Sequence, residues 1–280
     1  MIPHGIPSSV IEGIRRALEE DIASGDITTS LLIPDNDTSL GRFIAKGSFI
    51  LAGLPFAREV FRILNPDMEW TDFFADGSSV EKGDVIAEIS GNTRTILTGE
   101  RVSLNILQRL SGIATVTNSY AEKIRGLSGK IVDTRKTVPG MRFMEKYAVR
   151  KGGGYNHRFG LFDGVLIKNN HITAVGTISE AVKRAKAAHH LAKIEIEVAT
   201  LNGLAEAIEA GADIVMLDNM SIEVMRKAVQ TVQGRILLEA SGGITLDNVR
   251  EVAETGVDII SVGAITHSAA AVDISLQLVR

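Results

Sequence analysis

The chain has 280 residues, enough for one barrel-sized domain or two smaller ones, and its 45% hydrophobic and 23% charged content is that of an ordinary globular protein. It has no cysteine, which excludes disulfides and thiolate metal sites, and its net charge of −4 argues against nucleic acid as the main partner. No apolar run approaches the ~18 residues of a membrane span, and the N-terminus lacks the pattern of a signal peptide, so the chain reads as cytoplasmic.

In chain order, Ser9 and Glu12 have the spacing of a capping box and predict a first helix, with Val10, Ile11, Ile14 and Leu18 supplying its apolar positions. From Leu32 to Leu97, short apolar runs alternate with Gly- and Asp-containing turns. "GRFIAKGSFILAGLP" and "DGSSVEKGDVIAEISGNTR" read as strands and "LPFAREVFRIL" as a helix, together an α+β region. "ERVSLNILQRLSG" predicts a helix that Arg101 opens and Gly112 stops.

Beyond it the character changes. "KIVDTRK", "GVLIKN", "IEIEVAT", "DIVMLDN", "RILLEASGG" and "DIISVGAIT" recur as apolar runs, with amphipathic helical patterns such as "ISEAVKRAKAAHHLA" and "LNGLAEAIEAG" between most of them. Strand–helix alternation of this kind means a parallel sheet, read here as an incomplete, six- or seven-stranded TIM-like α/β barrel. "GADI" and "GVDI" form a weak internal repeat.

Barrels of this type carry function at the carboxyl ends of their strands. That rule selects Arg135 and Lys136, Lys168, Glu197, Asp218, Ser241-Gly242-Gly243 and Gly263, which would converge on one face. Charge patterning singles out the same region. Between Asp133 and His171 stand eight Lys/Arg and three acids, a local +5 in an acidic chain, and such concentration suits an anion. Arg135, Lys136, His157, Arg158 and Lys168 would suit a small molecule with two carboxylates. Arg142, Lys146, Arg150 and Lys151 lie on a helical stretch and read mainly as a solvated face. The glycines Gly152–Gly154 would allow the turn that returns "NHR" to the barrel mouth.

The "SGG" and "VGA" strand ends would let backbone N–H groups approach a phosphate, with His267 placed to reach the same anion; ordinary turns are the alternative. Glu197 and Asp218, acids in otherwise apolar strands, need a cation, a metal or sugar hydroxyls nearby. They suit Mg²⁺, or an internal ion pair to Lys136 or Lys168. Arg101 sits oddly, because a cation at a helix N-terminus opposes the macrodipole and calls for an anion.

"DTRKTVPGMRFMEKYAVRKGGGYNHRFGLFDGVLIKNNHI" resembles the signature of quinolinate phosphoribosyltransferases. "GDITT", "ERVSLNILQRLSGIAT", "EIEV", "MLDN" and "ETGVDIISVGAITHS" extend the likeness over essentially the whole chain. The resemblance implies an N-terminal α/β sandwich domain (1–112, joined by the tail 270–280) and an incomplete α/β barrel (113–269). It implies conversion of quinolinate and phosphoribosyl pyrophosphate to nicotinate mononucleotide, pyrophosphate and CO₂, a pentosyl transfer with Mg²⁺.

On that footing Thr134, Arg135, Lys136, His157, Arg158 and Lys168 would hold quinolinate, with Arg101 entering from the neighbouring subunit of a homodimer or higher oligomer. Glu197 and Asp218 would act at the ribose and Mg²⁺, and Lys136 and Lys168 would share in catalysis. Ser241, Gly242, Gly243, Val262, Gly263, Ala264 and His267 would take phosphoribosyl pyrophosphate. Three other readings stand beside this one. A molybdenum-uptake homologue shares "DTRKT" but typically diverges after the glycines, where this chain keeps "NHR". The others are a non-catalytic sensor of a phosphorylated ligand and a Schiff-base aldolase using Lys136 or Lys168.

Overall fold

The computed structural model describes residues 5–188 and 191–279, so His189 and His190 of the expected "ISEAVKRAKAAHHLA" helix lie outside the described residues. The first elements in chain order are α1 (Ser8–Ile22), α2 (Ile27–Leu32), β1 (Thr38–Ala45), β2 (Phe49–Ile50), α3 (Leu54–Leu64), β3 (Glu69–Asp72), β4 (Ser79–Val80), β5 (Val85–Asn92) and α4 (Thr93–Lys123). Then come β6 (Lys130–Val132), α5 (Arg142–Lys151), β7 (Val165–Ile167), α6 (Asn169–Val175), α7 (Ile178–Ala188), β8 (Ile194–Val198) and α8 (Leu201–Ala210). The chain ends with β9 (Ile214–Asp218), α9 (Ile222–Val232), β10 (Leu237–Ser241), α10 (Val249–Glu254), β11 (Ile259–Ser261), α11 (Ala264–His267) and β12 (Ile274–Val279). Two compact units share the chain: residues 1–118, 137–153 and 268–280 form one, and 119–136 with 154–267 form the other.

In the first unit an antiparallel sheet has the order β12-β1-β5-β3. The C-terminal strand is thus a partner of the first one, from Leu40 opposite Val279 to Ala45 opposite Ile274. Phe43, Phe56 and Phe61 are fully buried in the core of this unit, and Trp70 packs against Phe43 at a tilted angle with centroids 5.1 Å apart. Helix α1 buries Val10, Ile14 and Leu18 of the expected stripe and leaves Ile11 half-buried, but it has no capping box. Its N-cap is Pro7 with no side-chain cap, and Glu12 instead pairs with Arg16 one turn on. Asp26 of "GDITT" is a genuine cap, accepting from the Thr29 amide at 2.9 Å.

Helix α4 does not stop at Gly112. It runs from Thr93 to Lys123, so the expected domain boundary falls inside a helix. A Cβ on Gly112 would collide with the carbonyl oxygen of Ala270, so the glycine serves close packing of the returning C-terminal segment rather than termination. Arg101 is therefore in the body of a helix, not its first turn, and the macrodipole argument for it fails. Lys146 on α5 is only 4% exposed, so the solvated-face reading of that helix fails at this position.

In the second unit six parallel strands have the order β6-β11-β10-β9-β8-β7. An open doubly wound sheet reverses its strand order in the interior, at a switch point. Here the order is cyclic, each strand beside its sequence neighbours, with the ring interrupted only between β6 and β7 among the described residues. Tyr155 makes a single parallel bridge to Val132 on the β6 side of that gap, donating to Ile131 O at 2.8 Å. This is an α/β barrel short of closure, as the alternation predicts. Every residue of β8, "IEIEV", is buried, so Glu195 and Glu197 are held among barrel-lining groups.

Candidate active site

The barrel mouth is a cavity of about 780 Å³. Thr134, Arg135, Lys136, His157, Arg158, Lys168, Glu197, Asp218, Ser241, Gly242, Gly243, Val262, Gly263, Ala264 and His267 all line it. Arg101 does not. It is exposed on α4 and lines a separate cleft of about 540 Å³ in the first unit, with Asn105, Arg109 and residues 139–141.

Strand β6 ends at Val132, earlier than the sequence suggests, and Thr134–Lys136 form a loop. Asp133 holds that loop to the next one. Completely buried, it accepts from Asn156 Nδ2 at 2.7 Å and from the His157 amide at 2.9 Å. Gly153, at φ 88°, makes the turn that returns the chain to this contact. Thr134 Oγ1 accepts from the Lys136 amide at 3.0 Å, and Thr266 Oγ1 donates to Lys136 O at 2.7 Å. A Cβ on Gly263 would lie 3.0 Å from Lys136 Cδ, so glycine makes room for the lysine stem.

Two guanidiniums, Arg135 and Arg158, share this wall. Burial, and then the Arg135 charge, lower the Arg158 pKa, while its Nη1 donates to Gly164 O at 2.9 Å. Like charges kept together in this way favour an anion between them. Below them His157 Nε2 lies 3.0 Å from Glu195 Oε2 and 3.3 Å from Glu239 Oε2. Burial alone would lower the histidine pKa, but the contacts to Glu195 and Glu239 override it and raise it to about 10. Burial raises that of Glu195. Neither glutamate was among the sequence candidates. The signal for Glu195 was present, since it precedes Glu197 by two residues and strand periodicity puts both on one face.

Lys168 Nζ lies 3.5 Å from Glu197 Oε2, and Asn169 Nδ2 donates to Glu197 Oε1 at 2.7 Å. The internal ion pair considered for Glu197 therefore forms, with Lys168. Asp218, the last residue of β9, is half-buried and faces the same cavity. Gly242 and Gly243 have φ of 90° and 63°, and a Cβ on Gly242 would collide with the side chain of Asn219. Asn248 braces this turn, donating to Gly243 O at 2.9 Å and accepting from the Thr245 amide at 2.8 Å. The Val262 amide donates to Val132 O at 3.0 Å. Val262 lines the cavity, with its own N–H turned to Val132. The carboxylates at the mouth, the cations on one flank and the glycine turns on the other give one cavity complementary to a dianion and a phosphate ester.

Models of the quinolinate phosphoribosyl transferase N-terminal and C-terminal domains match residues 26–111 and 113–277. A Bacillus subtilis (strain 168) protein named probable nicotinate-nucleotide pyrophosphorylase (carboxylating) is 46% identical over 260 residues, covering 92% of this chain and 90% of that one. One of the same name from Methanocaldococcus jannaschii is 42% identical, covering 95% and 96%. The solved structure of the nicotinate-nucleotide pyrophosphorylase from Francisella tularensis matches with a TM-score of 0.94 at 46% identity, covering 98% of both chains.

Proposed function

The chain belongs to the quinolinate phosphoribosyltransferase family, and from that membership we propose how its barrel mouth divides the work. It is a phosphoribosyltransferase of the carboxylating nicotinate-nucleotide pyrophosphorylase type, acting in NAD biosynthesis. The reaction joins quinolinate to phosphoribosyl pyrophosphate and yields nicotinate mononucleotide, pyrophosphate and CO₂. The observation that carries the assignment is convergence: all the barrel residues expected to serve either substrate line one cavity.

Quinolinate takes the cationic flank. Arg135 and Arg158 supply guanidinium forks and His157 a buried cation, with Lys136 and Lys168 as point charges and Thr134 shaping the loop. The pyridine nitrogen attacks C1 of the ribose, the C–O bond to pyrophosphate breaks, and positive charge develops on the sugar. Glu197 and Asp218, at neighbouring strand ends, stabilise that charge and hold the hydroxyls. Loss of CO₂ then leaves an electron pair at C2 of the ring, stabilised by the flanking cations until a proton replaces the carboxylate. The 5′-phosphate takes the turn Ser241–Gly243 and the amides of Gly263 and Ala264, with His267 beside them.

The donor set fits Mg²⁺. Asp218 lies opposite Ser241 in the sheet register, and carboxylate oxygens with substrate phosphates are what this hard cation takes. Glu197 already accepts from Asn169 and pairs with Lys168, so Asp218 is the better placed of the two. When bound, the ion supplies neutralising charge for the departing pyrophosphate.

We assign Arg101, an exposed cation that does not line its own barrel mouth, to the cavity of a neighbouring subunit in a homodimer, as the family resemblance implies. The whole assignment is tested by CO₂ release from quinolinate labelled at its 2-carboxyl carbon. Release should require both phosphoribosyl pyrophosphate and Mg²⁺; a protein that binds these compounds without turnover would be a sensor instead.

A further inference from the structure

Two glutamates that the reaction does not call for meet the cavity-lining His157 from strands that are not neighbours. Glu195 comes from β8 and Glu239 from β10, with β9 between them. Glu239 is completely buried and Glu195 is 5% exposed, and Glu195 Oε1 and both Glu239 oxygens are without a hydrogen bond. Burying two carboxylates side by side is costly unless a cation lies between them. The atom at their meeting point is His157 Nε2, hydrogen-bonded to Glu195 at 3.0 Å and in ion-pair contact with Glu239 at 3.3 Å.

We propose that Glu195 and Glu239 are positioning residues that clamp the His157 ring through Nε2–H and keep it an imidazolium beneath the substrate carboxylates. The inference rests on the assignment of His157 to the quinolinate flank. An imidazole with one carboxylate partner is satisfied as a neutral donor, whereas two carboxylates on one nitrogen favour the charged ring. A charged ring carries N–H on both nitrogens, so the face turned to the cavity stays cationic. Asp133 fixes the backbone of the same residue, so ring and main chain are oriented independently. The other charges about the ring are Arg158, next in the chain, and Arg135, which faces Arg158 from the β6 loop. Burial of the ring opposes protonation, and the contacts to the two acids override it. The same acids also explain why the cavity tolerates a cluster of cations without substrate.

The experiment uses the full-length protein, ¹⁵N-histidine labelled, with nitrogen shifts of His157 assigned by loss of its signal in His157→Gln. The wild type without substrate should show imidazolium shifts for His157 at pH 8, where an ordinary histidine is neutral. A His157 that titrates near the unperturbed value would overturn the proposal, whatever the turnover. Glu195→Gln with Glu239→Gln should return the ring to the neutral form. Quinolinate should then bind at least about tenfold more weakly, the scale of a lost charge-assisted hydrogen bond, with phosphoribosyl pyrophosphate affinity unchanged. Equal loss for both substrates, or a normal quinolinate affinity, would count against the clamp. Should the double variant fail to fold, the wild-type shifts still decide. Stoichiometric Zn²⁺ binding that displaces the proton from His157 would identify the cluster as a metal site and sink the idea. Loss of CO₂ release with imidazolium shifts intact would fault the catalytic assignment and leave the clamp standing.

Discussion

Lys168 Nζ lies 3.5 Å from Glu197 Oε2, so the cation assigned to one substrate and the carboxylate assigned to the other are paired with each other. The lysine side chain is 51% exposed and the glutamate 11%, so the pair itself adds little stability. Its consequence is coupling: a substitution on either residue disturbs the neighbouring subsite.

The first prediction concerns the cationic flank. Arg158→Ala should reduce kcat/KM for quinolinate by ~2–5 kcal/mol of transition-state stabilisation, the cost of truncating one member of a desolvated charge pair, and Lys168→Ala, at a half-exposed side chain, should reduce it less. Nicotinate, without the 2-carboxylate, should be a poor substrate. Steady-state kinetics at saturating phosphoribosyl pyrophosphate provide the check, and near wild-type values in either variant would remove that residue from the flank.

The acids should separate. Asp218→Asn is expected to impair phosphoribosyl pyrophosphate use and leave quinolinate binding largely intact. Glu197→Gln should impair both, because it releases Lys168. Calorimetric titration with each substrate distinguishes them; equal behaviour of the two variants would contradict the asymmetry.

Gly242→Ala tests the phosphate turn. At φ 90° an L side chain is strained by ~1 kcal/mol or more, and the new methyl would meet Asn219. A lower Tm and a raised KM for phosphoribosyl pyrophosphate are expected, with quinolinate affinity retained. Gly263→Ala should be milder, because its nearest neighbour is a flexible lysine stem.

Stability should depend on pH through His157. Its folded pKa, about 10, lies above the unfolded value, so its contribution is complete below about pH 6.5 and is lost as pH rises toward 10. Thermal unfolding of the wild type and His157→Gln across that range gives the difference. The wild-type advantage should shrink with rising pH, and a constant gap would mean the histidine does not titrate there.

The proposed sharing of active sites between subunits makes the last prediction. Arg101→Ala and Lys168→Ala should each be inactive, yet subunit exchange between them should restore partial activity, since a mixed dimer has one site with both residues intact. Heterodimers shown to form, by mass spectrometry of differently tagged chains, but lacking activity would return Arg101 to its own subunit.

The barrel and most of its mouth were legible in the amino-acid sequence because both follow from local pattern. Apolar runs such as "DIVMLDN" mark strands, and in a parallel barrel the residue at a strand's carboxyl end has one place to go, which put Asp218 and Ser241 in the cavity. What the tertiary structure decided depends on partners remote in sequence. Gly112 looks like a helix stop, but it is crossed by α4 because the segment at Ala270 needs its space. Arg101 is not at a helix start because α4 begins at Thr93. Lys146 looks like a surface cation until α5 is packed and buries it. The surroundings of His157 are the clearest case. Glu195, Glu239 and His157 come from separate chain segments, and nothing local to any of them announces that both glutamates will lie within 3.3 Å of the histidine Nε2. Periodicity reports which way a side chain points; only closure of the strands around a common axis determines what it meets there.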